Sequence, residues 1–278
     1  MAELETTYWD AVSGSWGIRR QRLWRKHSDA VNCALVNRWL PSGTADCMLK
    51  TDLFDEMCGD GLFPILTSRA GRVVGIDISH SALTRARELN TGIRGVVADV
   101  VRLPFAGESF DYILSNSTLD HFGSLGEIRE SLAELYRVLR RGGEMTITMD
   151  NPANPIIAVR NRLPVRLLTR LGITPYYVGM TCSARQLRLL LEEAGFLVME
   201  TSSVMHCPRV LAVPLAFLLD RYASPGVQRL FLRLLLAFER LRLMPTHALT
   251  GHFVAARVTK KKIGALAPAH QEGAEHVA

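Results

Sequence analysis

Between residues 46 and 150, short runs rich in β-branched and apolar residues alternate with longer stretches whose apolar positions recur at helical spacing. That alternation predicts βαβ units and a mostly parallel sheet. Strands are expected at 48–54, 72–77, 95–99, 110–115 and 144–149. Helices fill the gaps. The stretch 62–69 has Pro64 in its first turn and Gly71 just past its end, 81–89 and 125–139 are amphipathic, and the latter runs into Arg140, Arg141, Gly142 and Gly143. Basic residues facing the negative helix end before a glycine stop are favourable there. Beyond residue 150 the rhythm breaks. A loop at 151–155 leads to a helix at 183–194, and two further strands are expected at 196–204 and 251–258. The intervening stretches 151–182 and 207–245 read as insertions. The expected organisation is a helical lid at 1–45, a core at 46–150, the rest of the sheet with its insertions at 151–258, and a disordered tail at 259–278 that begins with Lys260, Lys261 and Lys262.

Composition narrows the class. With 278 residues, 48% of them apolar and 22% charged, the chain can bury a large core, so disorder, collagen and coiled coil are excluded. Five cysteines occur without a C-x-x-C pair, which points to neither a zinc site nor a secreted disulfide framework, and a reducing cytoplasmic location is the expectation. No apolar leader opens the chain, and the longest apolar run, 210–219, is half of what a membrane span requires. The net charge of +6 is unevenly placed: residues 151–262 carry sixteen Lys or Arg against five Asp or Glu, whereas residues 1–150 carry seventeen against twenty. A basic second half suits an anionic substrate, a membrane surface or nucleic acid, or is an arginine-rich solvated face.

The candidate chemistry lies at the strand ends. Asp55, Gly59 and Gly61 stand between the first strand and the next helix, where glycines let a cofactor approach backbone amides at a helix N-terminus. The same spacing also suits an ordinary tight turn. The second strand ends in Asp77, sixteen residues after Gly61, where an acid can accept hydrogen bonds from both hydroxyls of a ribose. The third ends in Asp99 at the same sheet edge, followed by Leu103, Pro104 and Phe105 and then by Ser109, Phe110 and Asp111.

Taken in order, these features over residues 45–150 resemble the class I S-adenosylmethionine-dependent methyltransferases, in particular those acting on small-molecule, quinone and lipid substrates. The resemblance implies an α/β fold with a Rossmann-like, mostly parallel seven-stranded sheet, helices on both faces, and S-adenosyl-L-methionine as cofactor. By the same resemblance Asp55, Gly59 and Gly61 meet the methionine part, Asp77 with Ile78 the ribose, and Asp99 with Val100 the adenine, while Ser115 and Asn116 lie beside the cofactor. No metal is implied. Met57 falls where the family has its first glycine, and the first strand carries the polar Lys50, Thr51 and Asp52. That loop must therefore bend differently, with the polar residues at a frayed end or facing the cofactor or the N-terminal segment.

Two competitors fit less well. A nicotinamide-binding loop would need a third glycine at the position of Pro64. A nucleic-acid amino methyltransferase would need its proline motif after the fourth strand, but Asp150, Asn151 and Pro152 follow the fifth, so nucleic acid is not indicated. A non-catalytic module that binds a membrane or partner is the alternative from another class.

The acceptor side is expected in the N-terminal segment and the late insertions. Trp9, Trp16 and Trp24, with Arg19, Arg20, Arg22 and Arg25, suit a lid of aromatic walls and cationic points, or a helix packed on the sheet. His121, behind the fourth strand, is the candidate for accepting a proton, and Trp24, Tyr176 and Tyr177 are candidate substrate contacts. In the second insertion Arg229, Arg233 and Arg240 share one face of an expected helix at 226–243 whose other face is apolar. Such a hairpin suits peripheral membrane contact, a lid over a lipophilic small-molecule substrate, a homodimer interface, or packing on its own domain.

Overall fold

The computed structural model describes residues 2–16, 21–41, 43–90, 92–170, 174 and 176–261. Seven strands, β1 (Ala45–Lys50), β2 (Ala70–Asp77), β3 (Arg94–Val97), β4 (Phe110–Asn116), β5 (Leu139–Asp150), β6 (Leu197–Val204) and β7 (Phe253–Thr259), form one sheet in the order β3-β2-β1-β4-β5-β7-β6. Every pair among β1 to β5 is parallel, and β7 runs antiparallel to both β5 and β6. Strand order reverses between β1 and β4, so the connections leaving their carboxyl ends diverge and open a crevice.

Helices α1 (Ala2–Trp16), α2 (Arg22–Trp39), α3 (Phe54–Cys58), α4 (Phe63–Thr67), α5 (His80–Leu89) and α6 (Leu125–Val138) precede β5. After it come α7 (Pro155–Arg160), α8 (Val165–Arg170), α9 (Ala184–Glu193), α10 (Arg209–Tyr222), α11 (Pro225–Ala237) and α12 (His247–Thr250). Local chemistry sets several starts. Ser124 accepts the Glu127 N–H while the Glu127 carboxylate accepts the Ser124 N–H, and Ser183 with Gln186 repeats this box on α9, satisfying donors that a helix start leaves free. The inner face of α6, Ile128, Leu132 and Leu135, is fully buried in one core with Met145, Ile147 and Met149 of β5. Truncating either of these leucines to alanine would cost about 2–5 kcal/mol.

The N-terminal segment is more than a lid. Leu23, Val31, Leu35 and Trp39 of α2 share a second core with Ala212 and Ala216 of α10 and Phe231 and Leu235 of α11, so the chain start is anchored by the late insertion. The expected helix at 226–243 is divided: α11 ends at Ala237 and a tighter 3-10 segment, Phe238–Leu243, follows. Arg229 and Arg233 stay on one helix, and Arg240 does not. The first strand ends at Lys50, not 54, because the chain folds over the lysine: Nζ donates to the Asp52 carbonyl at 2.8 Å and pairs with Glu56 at 2.9 Å, which turns residues 54–58 into α3. Residues 259 and 260, expected in the tail, belong to the fold. Thr259 closes β7, and the buried Lys260 donates from Nζ to the Tyr136 and Leu139 carbonyls. Arg19, Arg20 and residues 262–278 lie outside the described residues.

Candidate functional site

A cavity of about 610 Å³ opens at the carboxyl edge of β1, β2 and β4, with α1, α2 and Tyr176 around it. Its two walls are built differently. On the β2 side, Asp77 Oδ2 accepts the Leu53 N–H at 2.9 Å and Oδ1 accepts the Ser79 N–H at 2.8 Å. Each oxygen keeps capacity for a further donor, and burial pushes the carboxyl up to about 6. Ile78, Ala98, Asp99 and Val100 continue this wall. Asp99 sits just past β3 and turns its Oδ1 to the Val101 N–H at 3.1 Å. Helix α1 is tied across the top by Asp10, whose carboxylate accepts from Ser79 Oγ at 2.7 Å and from the Ser81 N–H at 2.9 Å.

The β1 side is a buried charge cluster. Lys50 is 1% exposed and pairs with Asp52 at 3.3 Å, Asp55 at 3.8 Å and Glu56 at 2.9 Å. Burial works against its charge, but the three acids outweigh this and raise its pKa. Arg25 of α2 bridges Asp29 and Asp55, and Asn116 Nδ2 donates to Asp55 at 3.2 Å. Burial opposes ionisation of Asp55, yet Arg25 and Lys50 hold it below the usual carboxylate range. Asp52 lacks such a guanidinium, and burial raises it. Thr51 and Thr118 hydroxyls meet at 2.8 Å beside it.

A third group comes from the 3-10 turn after β4, Leu119–His121. His121 Nδ1 lies 3.0 Å from the Tyr177 carbonyl; a carbonyl only accepts, so Nδ1 carries the proton and Nε2 is the basic nitrogen. Its ring contacts Trp9 and Tyr176 at centroid distances of 4.8 and 5.4 Å. Asp120 Oδ1 is 4.0 Å from Nε2, and burial pushes that carboxyl up to about 6. Toward α10, Arg209 stands on the cavity wall with its guanidinium 5.5 Å from the ring centres of both Trp24 and Phe253. Among the described residues no carboxylate pairs with it.

The structure thus brings Asp55, Asp77, Ile78, Asp99, Val100, Asn116, His121, Trp24, Tyr176 and Tyr177 onto one cavity. It leaves Gly59, Gly61 and Ser115 off the wall, contrary to the expectation for those three. Where the glycine loop was expected, residues 54–58 form α3, and Gly59 and Gly61 follow it. A Cβ on Gly61, whose φ is +55°, would lie 2.7 Å from Glu56 Oε1, and the Gly59 carbonyl accepts from Asn90. Ser115 is fully buried within β4. Sequence reasoning left Asp52 open between a frayed strand end and a position facing the cofactor or the N-terminal segment, and it missed Arg209 altogether. The signal for Asp52 was the polar run 50–52 directly after the apolar Cys47, Met48 and Leu49. For Arg209 no local signal exists, since Trp24 and Phe253 reach it from the two ends of the chain. No group of three or more His, Cys, Asp or Glu among the described residues is arranged to hold a metal ion.

Comparison with known proteins bears on the same residues. Residues 55–147 match the family model described as "Methyltransferase domain". The malonyl-[acyl-carrier protein] O-methyltransferase of Salmonella typhimurium is 32% identical over 97 residues, covering 34% of this chain and 38% of that protein. The ubiquinone/menaquinone biosynthesis C-methyltransferase of a Marinomonas species is 30% identical over 177 residues, covering 59% of this chain and 62% of that protein. Both matches span less than two thirds of the relative's length. Among solved structures, phosphoethanolamine N-methyltransferase 2 of Haemonchus contortus, in complex with S-adenosyl-L-methionine, superposes with a TM-score of 0.55 at 20% identity, over 83% of this chain and 52% of that one. At that identity the likeness speaks for the fold.

Proposed function

Because the chain belongs to the class I S-adenosylmethionine-dependent methyltransferase family, we propose that it transfers a methyl group from S-adenosyl-L-methionine to a small, lipophilic acceptor bearing an anionic group. The observation that carries this reading is the single cavity joining the acid-bearing edge of β2 and β3 to an aromatic chamber that holds Arg209, a cation with no carboxylate partner among the described residues.

The residues fit an adenosyl cofactor. Asp77 is a half-buried carboxylate with free acceptor capacity, as vicinal ribose hydroxyls require. Ile78, Ala98 and Val100 offer apolar surface for a purine, with Asp99 beside them to accept from an exocyclic amine. When bound, the cofactor supplies a methyl group already made electrophilic by a positively charged sulfur. The protein then has to align the acceptor and exclude water. Trp9, Phe54 and Tyr176 wall the chamber. His121 Nε2 takes the proton that the acceptor loses, and the Asp120 carboxylate 4.0 Å away stabilises the imidazolium that results. Arg209 is preorganised between two rings and offers its donors to a carboxylate or phosphate.

Two measurements test the reading. Calorimetric titration with S-adenosyl-L-methionine and with its demethylated product is expected to show micromolar binding of both; no binding of either overturns the cofactor assignment. Transfer of label from methyl-labelled cofactor to hydroxyl-bearing medium-chain and aromatic carboxylic acids, compared with their neutral amides, is expected to favour the acids. Arg209→Met should erase that preference, about 10–100-fold in kcat/KM, by removing a charge-assisted contact, and leave cofactor affinity unchanged. Equal transfer to acids and amides by the unaltered protein would sink the anionic part of the proposal.

A further inference from the structure

The α10–α11 hairpin satisfies its own core and still leaves an apolar face outside. Its inner side chains, Ala212, Ala216, Phe231 and Leu235, are buried against α2. On α10 a second stripe at helical spacing, Leu211, Leu215, Leu218 and Tyr222, points to solvent, with Leu211 68% and Tyr222 72% exposed. On α11 the same holds for Val227, Leu230 and Leu234, with Leu230 67% exposed. The two helices touch and are joined by residues 223 and 224 alone, and Leu243 and Met244 extend the exposed set past the 3-10 segment. Scattered surface leucines need no explanation, but a row of them at helical spacing on each of two touching helices does.

Charge selects what covers the face. Residues 209–243 hold six arginines and two acids. Both acids are engaged inward: Asp220 pairs with Arg22 at 3.7 Å, and Glu239 accepts the Met205 and His206 N–H groups. Arg209 faces the cavity. The remaining five are exposed, and four stand next in sequence to an exposed apolar side chain, as Arg221 with Tyr222, Arg229 with Leu230, Arg233 with Leu234 and Arg242 with Leu243. Interleaved apolar and guanidinium positions are what a helix face needs when it sinks its apolar side chains to the acyl boundary and leaves its cations at the phosphates. A second copy of this chain fits poorly, because a two-fold contact through this face would set the same arginines against one another. None of the described helices is long and apolar enough to cross a membrane, so the contact is one of lying on a surface.

We propose that the outer face of α10 and α11 docks on an anionic phospholipid bilayer, independently of whether the methyl-transfer reading holds. The test is co-sedimentation of the full chain with phosphatidylcholine vesicles and with vesicles that also contain phosphatidylglycerol. Binding is expected to the anionic vesicles only, and to fall as salt is raised. The double variant L211D/L230D should abolish it while cofactor titration and circular dichroism stay unchanged, since both side chains lie at the surface. The milder R229A/R233A should weaken it about fivefold for each arginine removed. No sedimentation with anionic vesicles overturns the proposal, as does equal binding to neutral ones or full binding by L211D/L230D. A dimer in sedimentation velocity that L211D/L230D dissolves, with no vesicle binding, would assign the face to a second copy instead.

Discussion

β1 and β2 lie side by side and parallel, and both deliver an acid to the same cavity, but they end in different ways. β2 ends on one half-buried carboxylate oriented by two backbone N–H groups, those of Leu53 and Ser79. β1 ends on Lys50 with Asp52, Asp55 and Glu56 around it and Arg25 reaching in from α2. The first arrangement draws on donors that any strand-to-helix connection supplies. The second holds only while every member is present, because each buried charge relies on its neighbours for what water would otherwise provide. The β2 end is therefore a binding element with spare capacity, and the β1 end is chiefly a structural joint that ties α2 to the sheet.

That contrast can be broken most severely at Lys50. Lys50→Met leaves three acids without their shared cation and is expected to lower stability by about 3–5 kcal/mol in urea or thermal unfolding; a loss under about 1 kcal/mol would mean the cluster is not what holds the joint. His121→Ala, beyond the end of β4, touches neither strand end. It should cut kcat about 100-fold or more while cofactor affinity in calorimetry is unaltered. At the β2 end, Asp77→Asn should weaken cofactor binding about 10–100-fold, through loss of a charged acceptor, and change stability less than Lys50→Met does. The smallest effect is one of pH. The Asp77 carboxyl is raised to about 6, so it is protonated below that pH and loses acceptor capacity toward ribose hydroxyls. Cofactor affinity at pH 5 should be about tenfold weaker than at pH 7, and the Asp77→Asn variant should show a flat profile over the same range.

The difference also explains what the sequence revealed. Asp77 and Asp99 were legible because a strand's length and the turn after it fix where the residues at its carboxyl end lie. Apolar runs likewise located β2 and β4 within two residues, whereas β5 starts at Leu139, five residues before the expected 144, and takes in the Arg140–Gly143 stretch that was read as a helix end with a glycine stop. At β1 the logic failed in part. Lys50, Thr51 and Asp52 stood out as polar residues in a buried strand, but the cause lies partly in Arg25, some 25 residues earlier in the chain, and no local pattern announces a contact of that range. With the turn at residues 51–53 unseen, Gly59 and Gly61 took the place on the cavity wall that Asp52 and Phe54 hold. The second insertion was read as a hairpin with arginines on one face and an apolar face opposite, and its inner partner, α2, was not foreseen. Which of two amphipathic faces turns inward depends on the shape of what it meets, and α2 lies almost two hundred residues upstream.

β7 pairs with β5 on one side and β6 on the other, although it is the last of the described strands to be made. During synthesis, then, β1 to β5 can assemble while β6 has no neighbour to join, and it waits with its backbone unpaired until residue 259 has cleared the ribosome. Domains tend to acquire structure from the N-terminus as the chain emerges, and contacts far apart in sequence form slowly because a long loop must close first. The wall that carries Asp77 and Asp99 is complete early, whereas Phe253, which flanks Arg209, arrives with the final strand. Nascent chains arrested before β7 should accordingly hold the adenosyl side of the cavity and lack the acceptor side, so that selectivity for the methyl acceptor is the last property the molecule gains as it folds.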